Sequence, residues 1–119
     1  MLAEIFTTQG RLNRLSYLKY IIVLSLASFV VSFIIGFIGA LLTGDADSTF
    51  VNILALIVTF PFTVGAIMAA IRRLHDLNRS GWFMFAAIIP LLNLVLGIYL
   101  LFFKGTEGYN QYGEDPLAI

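Results

Sequence analysis

The sequence predicts an all-α integral membrane protein with three transmembrane helices. Of the 119 residues, 60% are hydrophobic and only 12% are charged, whereas soluble domains carry about 25% charged residues. A soluble chain of this size could not bury so much apolar surface. Uncharged runs fill positions 21–42, 50–71 and 82–103. As helices, which satisfy every backbone group in lipid, they reach roughly 33 Å each, enough for a hydrocarbon core about 30 Å thick.

The first twenty residues mix apolar and basic positions, which predicts a short interfacial segment before the first span. They lack an early basic region, and the apolar run that follows is longer than the roughly 7–15 residues of a signal-peptide core. No cleaved signal is therefore expected. Because no internal repeat or second composition type follows, residues 1–119 are predicted to form a single membrane domain.

The connections between the runs, and a possible break in the third, predict on which side of the membrane the tail lies. "TGDADST" reads as a polar turn, with Asp47 or Ser48 available to cap the second helix. The third run contains Pro90 and Asn93, and proline can break a helix. One kinked span is favoured, which places the polar tail, residues 104–119, outside the cytoplasm. The alternative is a third helix that is broken or re-entrant at Pro90–Asn93, which returns the tail to the cytoplasmic side.

The basic residues predict the orientation. Three precede the first span and three lie between the second and third spans, so six of the seven share one face. The positive-inside rule places that face, and with it the N-terminus, in the cytoplasm of a multi-pass protein.

Small residues recur at helical spacing and predict helix packing, because they let backbones approach closely in lipid. Packing within the chain is the favoured use, and a homo-oligomer surface is the alternative. The predicted packing residues are Ser28, Ser32, Gly36 and Ala40 in the first span, with Gly65 and Ala69 in the second.

The hinge, residues 72–82 ("RRLHDLNRSGW"), concentrates the charges. If the second helix continues into it, Arg72 with Asp76, and His75 with Arg79, are spaced for i, i+4 pairing. Arginines at the headgroup level favour binding of an anionic phospholipid. The predicted binding residues are Arg11, Arg14, Arg72, Arg73, His75, Asp76, Arg79, the helix cap Ser80 and the interfacial Trp82.

Other chemistry has little support in the sequence. The formal net charge is zero, so no nucleic-acid partner is expected. The single His75–Asp76 pair lacks the ligands of a metal site, and neither a catalytic residue nor a cofactor is predicted. Ion-coupled transporters usually keep an ionisable residue inside a span, and the three runs contain none.

Three motifs resemble one family. They are "GRLNRLSY" at 10–17, the hinge motif at 72–82 and "GTEGYNQYGEDP" at 105–116. Together they resemble the domain of unknown function 805 family, the YhaH-like small bacterial inner-membrane proteins. The resemblance implies a small helical protein of the bacterial inner membrane and no defined reaction.

The sequence and the resemblance together favour a non-enzymatic protein whose cytoplasmic hinge binds lipid or a membrane protein partner. An oligomeric small transporter or pore, and an enzyme acting on a lipid-linked substrate, remain as alternatives.

Overall fold

The computed structural model describes residues 2–45 and 47–117. The described residues form four α-helices: α1 (Leu2–Ile5), α2 (Arg14–Thr43), α3 (Thr49–Asp76) and α4 (Pro90–Phe102). A 3-10 helix, Gly81–Ile88, precedes α4. Within the described ranges no β-strand forms, and the tail carries one isolated bridge between Asn110 and Gly113. Met1, Ala46, and Ala118 and Ile119 of the predicted tail lie outside the described residues.

Helices α2 and α3 form an antiparallel hairpin and are both long and apolar enough to cross a membrane. Asn13 caps α2, since its side chain accepts a hydrogen bond from the Ser16 N–H at 2.8 Å. Gly44 ends α2 with a positive φ of 72°, a conformation that glycine adopts without steric cost. Residues 14–20 of the predicted interfacial segment 1–20 form the first turns of α2.

Helix α3 runs through Pro61 and continues past the predicted span as far as Asp76. The hinge therefore begins as helix, as the i, i+4 pairing required. Ser48 occupies the N-cap position of α3 without a side-chain capping bond.

The single kinked third helix that the sequence favoured does not form, because the run is broken at Ile89, as in the alternative. Ile89 is extended, with φ −90° and ψ 119°, and Pro90 begins α4, because proline disfavours helical geometry in the residue before it and suits the first helical position. Asn93 stabilises the reversal by donating from Nδ2 to the Ala87 carbonyl at 2.9 Å. The 3-10 helix and α4 reach only about 16 Å and 20 Å. They form a short hairpin that returns the chain to the hinge, where the Thr106 N–H donates to the Asp76 carbonyl at 2.7 Å.

Helices α2 and α3 pack together, and the closest glycine approach between them is at Gly39 and not at Gly36. A Cβ at Gly39 would lie 2.6 Å from Cγ2 of Val51, whereas one at Gly36 would meet nothing within 4 Å. On α3, Ala69 is fully buried and Gly65 is buried against Ile5. The remaining predicted packing residues, Ser28, Ser32 and Ala40, are half-buried.

The tightly packed core lies at the hinge end of the molecule. Its buried members are Leu12, Tyr17, Ala69, Ala70, Leu74 and Leu100. Most large apolar side chains of α2 and α3 outside this core are exposed, as expected where lipid is the solvent. Through this core, α2, α3 and α4 pack against one another next to the charged residues.

Candidate functional site

A buried ion-pair cluster lies at the end of α3. The Asp76 carboxylate accepts from Arg11 Nε at 3.0 Å and from Arg73 Nη1 at 2.6 Å. All three side chains are at least nine-tenths buried, and we call them the hinge clamp. Burial raises the pKa of the Asp76 carboxyl, while the hydrogen bond from Arg11 and the charge of Arg73 act to lower it. The expected Arg72–Asp76 pair does not form, because Asp76 pairs at i, i+3 and across the fold instead.

The clamp binds the tail through backbone carbonyls. Arg11 Nη1 donates to the carbonyls of Gly108 at 2.7 Å and Gly113 at 3.1 Å, and Nη2 donates to Thr106. Both of these glycines have positive φ, so the turns that present their carbonyls suit glycine. One arginine therefore joins the segment before α2, the end of α3 and the tail.

Arginines also satisfy the C-terminal end of α4. Arg73 donates from Nε to the Leu100 carbonyl at 2.7 Å and from Nη2 to the Phe103 carbonyl. Arg14 Nη1 donates to the Phe102 carbonyl at 3.1 Å. The last carbonyls of a helix lack partners within the helix and carry partial negative charge, so cations stabilise this end.

Gly105 fits against the clamp only because it lacks a side chain. A Cβ at this position would lie 2.0 Å from Asp76 Oδ2. The tail can therefore approach the end of α3 closely enough for the backbone bond between Thr106 and Asp76.

Arg72 turns toward α1 and Tyr20 rather than toward Asp76. Its guanidinium lies 5.0 Å from the ring centroid of Tyr20, a cation–π distance. Its Nη2 approaches the Ile5 carbonyl at 3.4 Å, and its buried Nε has no hydrogen-bond partner among the described residues. Arg72 thus ties α1 to the hairpin and is separate from the clamp.

His75 packs against the tail. Its ring stacks on Tyr112 with centroids 4.0 Å apart, and its Nδ1 lies 3.2 Å from the Gly10 carbonyl. Asn110 Nδ2 donates to the His75 carbonyl at 2.8 Å. Burial lowers the pKa of His75, and the hydrogen bond to Gly10 opposes that shift. Neutral imidazole with the proton on Nδ1 fits these contacts. The expected His75–Arg79 contact is absent from the hydrogen bonds of the described residues.

The remaining hinge residues lie nearer the surface. Ser80 Oγ accepts from the Trp82 N–H at 3.3 Å and caps the 3-10 helix, as the sequence predicted for the third helical run. Trp82 is exposed and stacks on Phe85. Arg79 is exposed and donates from Nε to the Tyr99 hydroxyl at 3.3 Å.

The structure brings the three sequence motifs together, since residues of 10–17, 72–82 and 105–116 meet at the hinge clamp. Sequence reasoning alone missed the tail carbonyls that Arg11 binds, and the ring of Tyr20 beside Arg72. The ordered glycines of the tail motif were the available signal. Across the described ranges, no group of three or more His, Cys, Asp or Glu side chains is placed to hold a metal ion.

These features define a small α-helical membrane protein whose charged residues close one end of a two-helix hairpin. The family model described as "Protein of unknown function (DUF805)" matches residues 5–114, and the chain belongs to that family.

Two relatives from Escherichia coli (strain K12) support the assignment. The chain is 28% identical over 107 residues to inner membrane protein YhaI, covering 90% of this chain and 83% of the relative. It is 29% identical over 108 residues to inner membrane protein YhaH, covering 91% and 85%. No solved structure matches. The protein is thus a small inner-membrane protein of a family without a defined activity.

Proposed function

We propose that this protein is a non-enzymatic component of the inner membrane that binds anionic phospholipid headgroups at its cytoplasmic end. One observation carries the proposal. Two exposed guanidinium groups, those of Arg14 and Arg79, both donate into the last turn of α4, at Phe102 and Tyr99. We call these two arginines the basic rim.

Of the binding residues that the sequence suggested, this proposal assigns lipid binding to the two arginines of the basic rim. Arg11 and Arg73 are buried, and carbonyl and carboxylate oxygens take up their donors. They are therefore structural in this proposal. Guanidinium groups at the headgroup level bind phosphate with charge-assisted hydrogen bonds, and each adds about 1 kcal/mol near an anionic surface.

The charge distribution supports a cytoplasmic hinge. Because the tail returns to the hinge, Lys104 joins the other basic residues, and all seven lie at one end of the α2–α3 hairpin. The loop between α2 and α3 carries only acidic charges, Asp45 and Asp47. The positive-inside rule then favours a cytoplasmic N-terminus, hinge and tail, with the hairpin of the third run entering the bilayer from that side.

Thiol labelling in intact cells tests this orientation, since the sequence contains no cysteine. Single cysteines replace Ser48 in the α2–α3 loop, Gln9 before α2 and Glu114 in the tail. We expect an impermeant reagent to label position 48 and to leave 9 and 114 protected until the membrane is permeabilised. Labelling at 114 together with 48 in intact cells would place the tail outside and contradict the orientation.

Lipid retention tests the binding itself. The double variant Arg14→Gln/Arg79→Gln is compared with wild type and with Lys19→Gln, an exposed basic residue in the second turn of α2. Loss of about 2 kcal/mol corresponds to a reduction of roughly thirtyfold in affinity for anionic lipid. Native mass spectrometry of protein in nanodiscs that contain anionic and zwitterionic lipid measures the retained species. Unchanged anionic lipid in a correctly inserted double variant contradicts the proposal, and loss of a co-purifying protein instead would indicate a protein-binding rim.

A further inference from the structure

An open groove of about 700 Å³ lies between α3 and the 3-10 helix. Its volume falls within the range of about 300–1,000 Å³ typical of small-molecule sites. Apolar side chains form most of the lining: Ile67 and Ile71 of α3, and Met84, Phe85, Ala87 and Ile88 of the 3-10 helix. Polar side chains line the groove at the hinge: Thr8, His75, Ser80 and Tyr112.

The polarity of the groove changes along the direction of α3. Ile67, Ile71 and His75 are spaced at four-residue intervals and line the same side, so the wall runs about 12 Å from its apolar end to its polar end. The facing 3-10 helix starts at the polar end with Gly81 and rises about 14 Å to Ile88. Hydroxyl and imidazole groups are thus confined to the mouth, level with the hinge.

One side of the mouth is formed where Gly81 packs against the Ile71 side chain. A Cβ at Gly81 would lie 2.9 Å from Cγ2 of Ile71, so the 3-10 helix begins in direct contact with α3. Arg79 of the basic rim directly precedes Ser80 of the mouth in the sequence, and its guanidinium, which does not line the groove, donates to the Tyr99 hydroxyl.

We infer that this groove binds one acyl chain of a membrane phospholipid, with the headgroup at the mouth among the hydroxyl and imidazole groups. The inference deepens the proposed function and rests on it, since it names where the lipid chain lies. An amphiphile matches both ends of the groove, because its chain meets only apolar side chains and its headgroup meets donors.

The substitution Ala87→Phe tests the inference by filling the apolar end of the groove. Ala86→Phe is the matched control, because neighbouring residues of a 3-10 helix point about 120° apart and Ala86 does not line the groove. Native mass spectrometry from nanodiscs is expected to show one retained phospholipid per chain in wild type and in Ala86→Phe. Ala87→Phe should retain at least tenfold less, and Ile67→Phe, which narrows the opposite wall, should act in the same direction if Ala87→Phe does not fold.

The outcomes separate this inference from the basic-rim proposal. Ala87→Phe should lose anionic and zwitterionic phospholipid alike, whereas Arg14→Gln/Arg79→Gln should lose only the preference for anionic lipid. Undiminished lipid in folded Ala87→Phe, with anionic preference still lost in the arginine variant, overturns the groove and leaves the proposed function standing. Retention of a free fatty acid or detergent alone, or conversion of a dimer to a monomer by Ala87→Phe, also overturns the inference.

Discussion

Replacing Arg73 with methionine should release the tail and α4 from the hinge. The Arg73 side chain is fully buried and donates to Asp76 Oδ2 at 2.6 Å and to the Leu100 carbonyl at 2.7 Å. Methionine fills similar space without a donor, so the buried carboxylate keeps one arginine of two and the Leu100 carbonyl loses its side-chain partner. Breaking a buried ion pair costs about 3–5 kcal/mol. Because Arg73 bonds the end of α4, directly before the tail, we expect this cost to destabilise the docked tail relative to the undocked tail.

A single thiol in the tail measures that loss. Thr106→Cys preserves the contacts of this residue, which are made by its backbone. If the tail opens and closes faster than the thiol reacts, 3 kcal/mol raises the labelling rate by roughly a hundredfold. Arg79→Met, which removes an exposed arginine, should change the rate less than fivefold. A rate in Arg73→Met within twofold of the parent would show that the bonds of Arg73 to the end of α4 do not hold the tail in place.

The other predictions concern packing and pH. Gly39→Ala should destabilise the α2–α3 hairpin by about 1–3 kcal/mol through overpacking against the stiff Val51 side chain, whereas Gly36→Ala should be neutral or stabilising; equal thermal midpoints in detergent would contradict this. Gly105→Ala should undock the tail, because its Cβ would lie 2.0 Å from a carboxylate oxygen of the clamp, and accelerated labelling of the tail thiol measures it. Because burial lowers the pKa of His75, the unfolded state binds more protons below about pH 6.5. Stability should therefore be fully present above that pH and fall as the pH drops through the folded-state pKa; a wild-type pH profile identical to that of His75→Gln would exclude this contribution.

Hydropathy predicted the two long helices because the free energy of transferring side chains to lipid dominates their placement. Hydropathy could not show whether the third run crosses the membrane once or enters and returns, since both arrangements need an equally apolar chain. Pro90 marked the position of the break. The choice between the two arrangements depended on Arg11, Arg14 and Arg73, whose donors satisfy the carbonyls of the returning chain.

The site was predicted by composition and only partly by spacing. Concentrated arginines marked the hinge, but the i, i+4 rule selected Arg72 as the partner of Asp76. That rule describes neighbours on one exposed helix face, whereas the real partner Arg11 lies 65 residues away in sequence. Spacing likewise marked a small-residue face on α2 but could not show which of its positions contacts α3 most closely. That depends on the opposing side chain, and the closest contact is between Gly39 and Val51.

The structure also explains why arginine, and not lysine, supplies most of the positive charge at this end. The hairpin of the 3-10 helix and α4 leaves the last carbonyls of α4, and the turns after it, without partners inside the helix. Arginine offers five donors in a planar fork, whereas lysine offers three from a single nitrogen. Arg11 alone donates to the Asp76 carboxylate at the end of α3 and to three backbone carbonyls of the tail. The buried arginines thus hold the returning chain against α3, and the proposed anionic lipid is left to the exposed arginines of the basic rim.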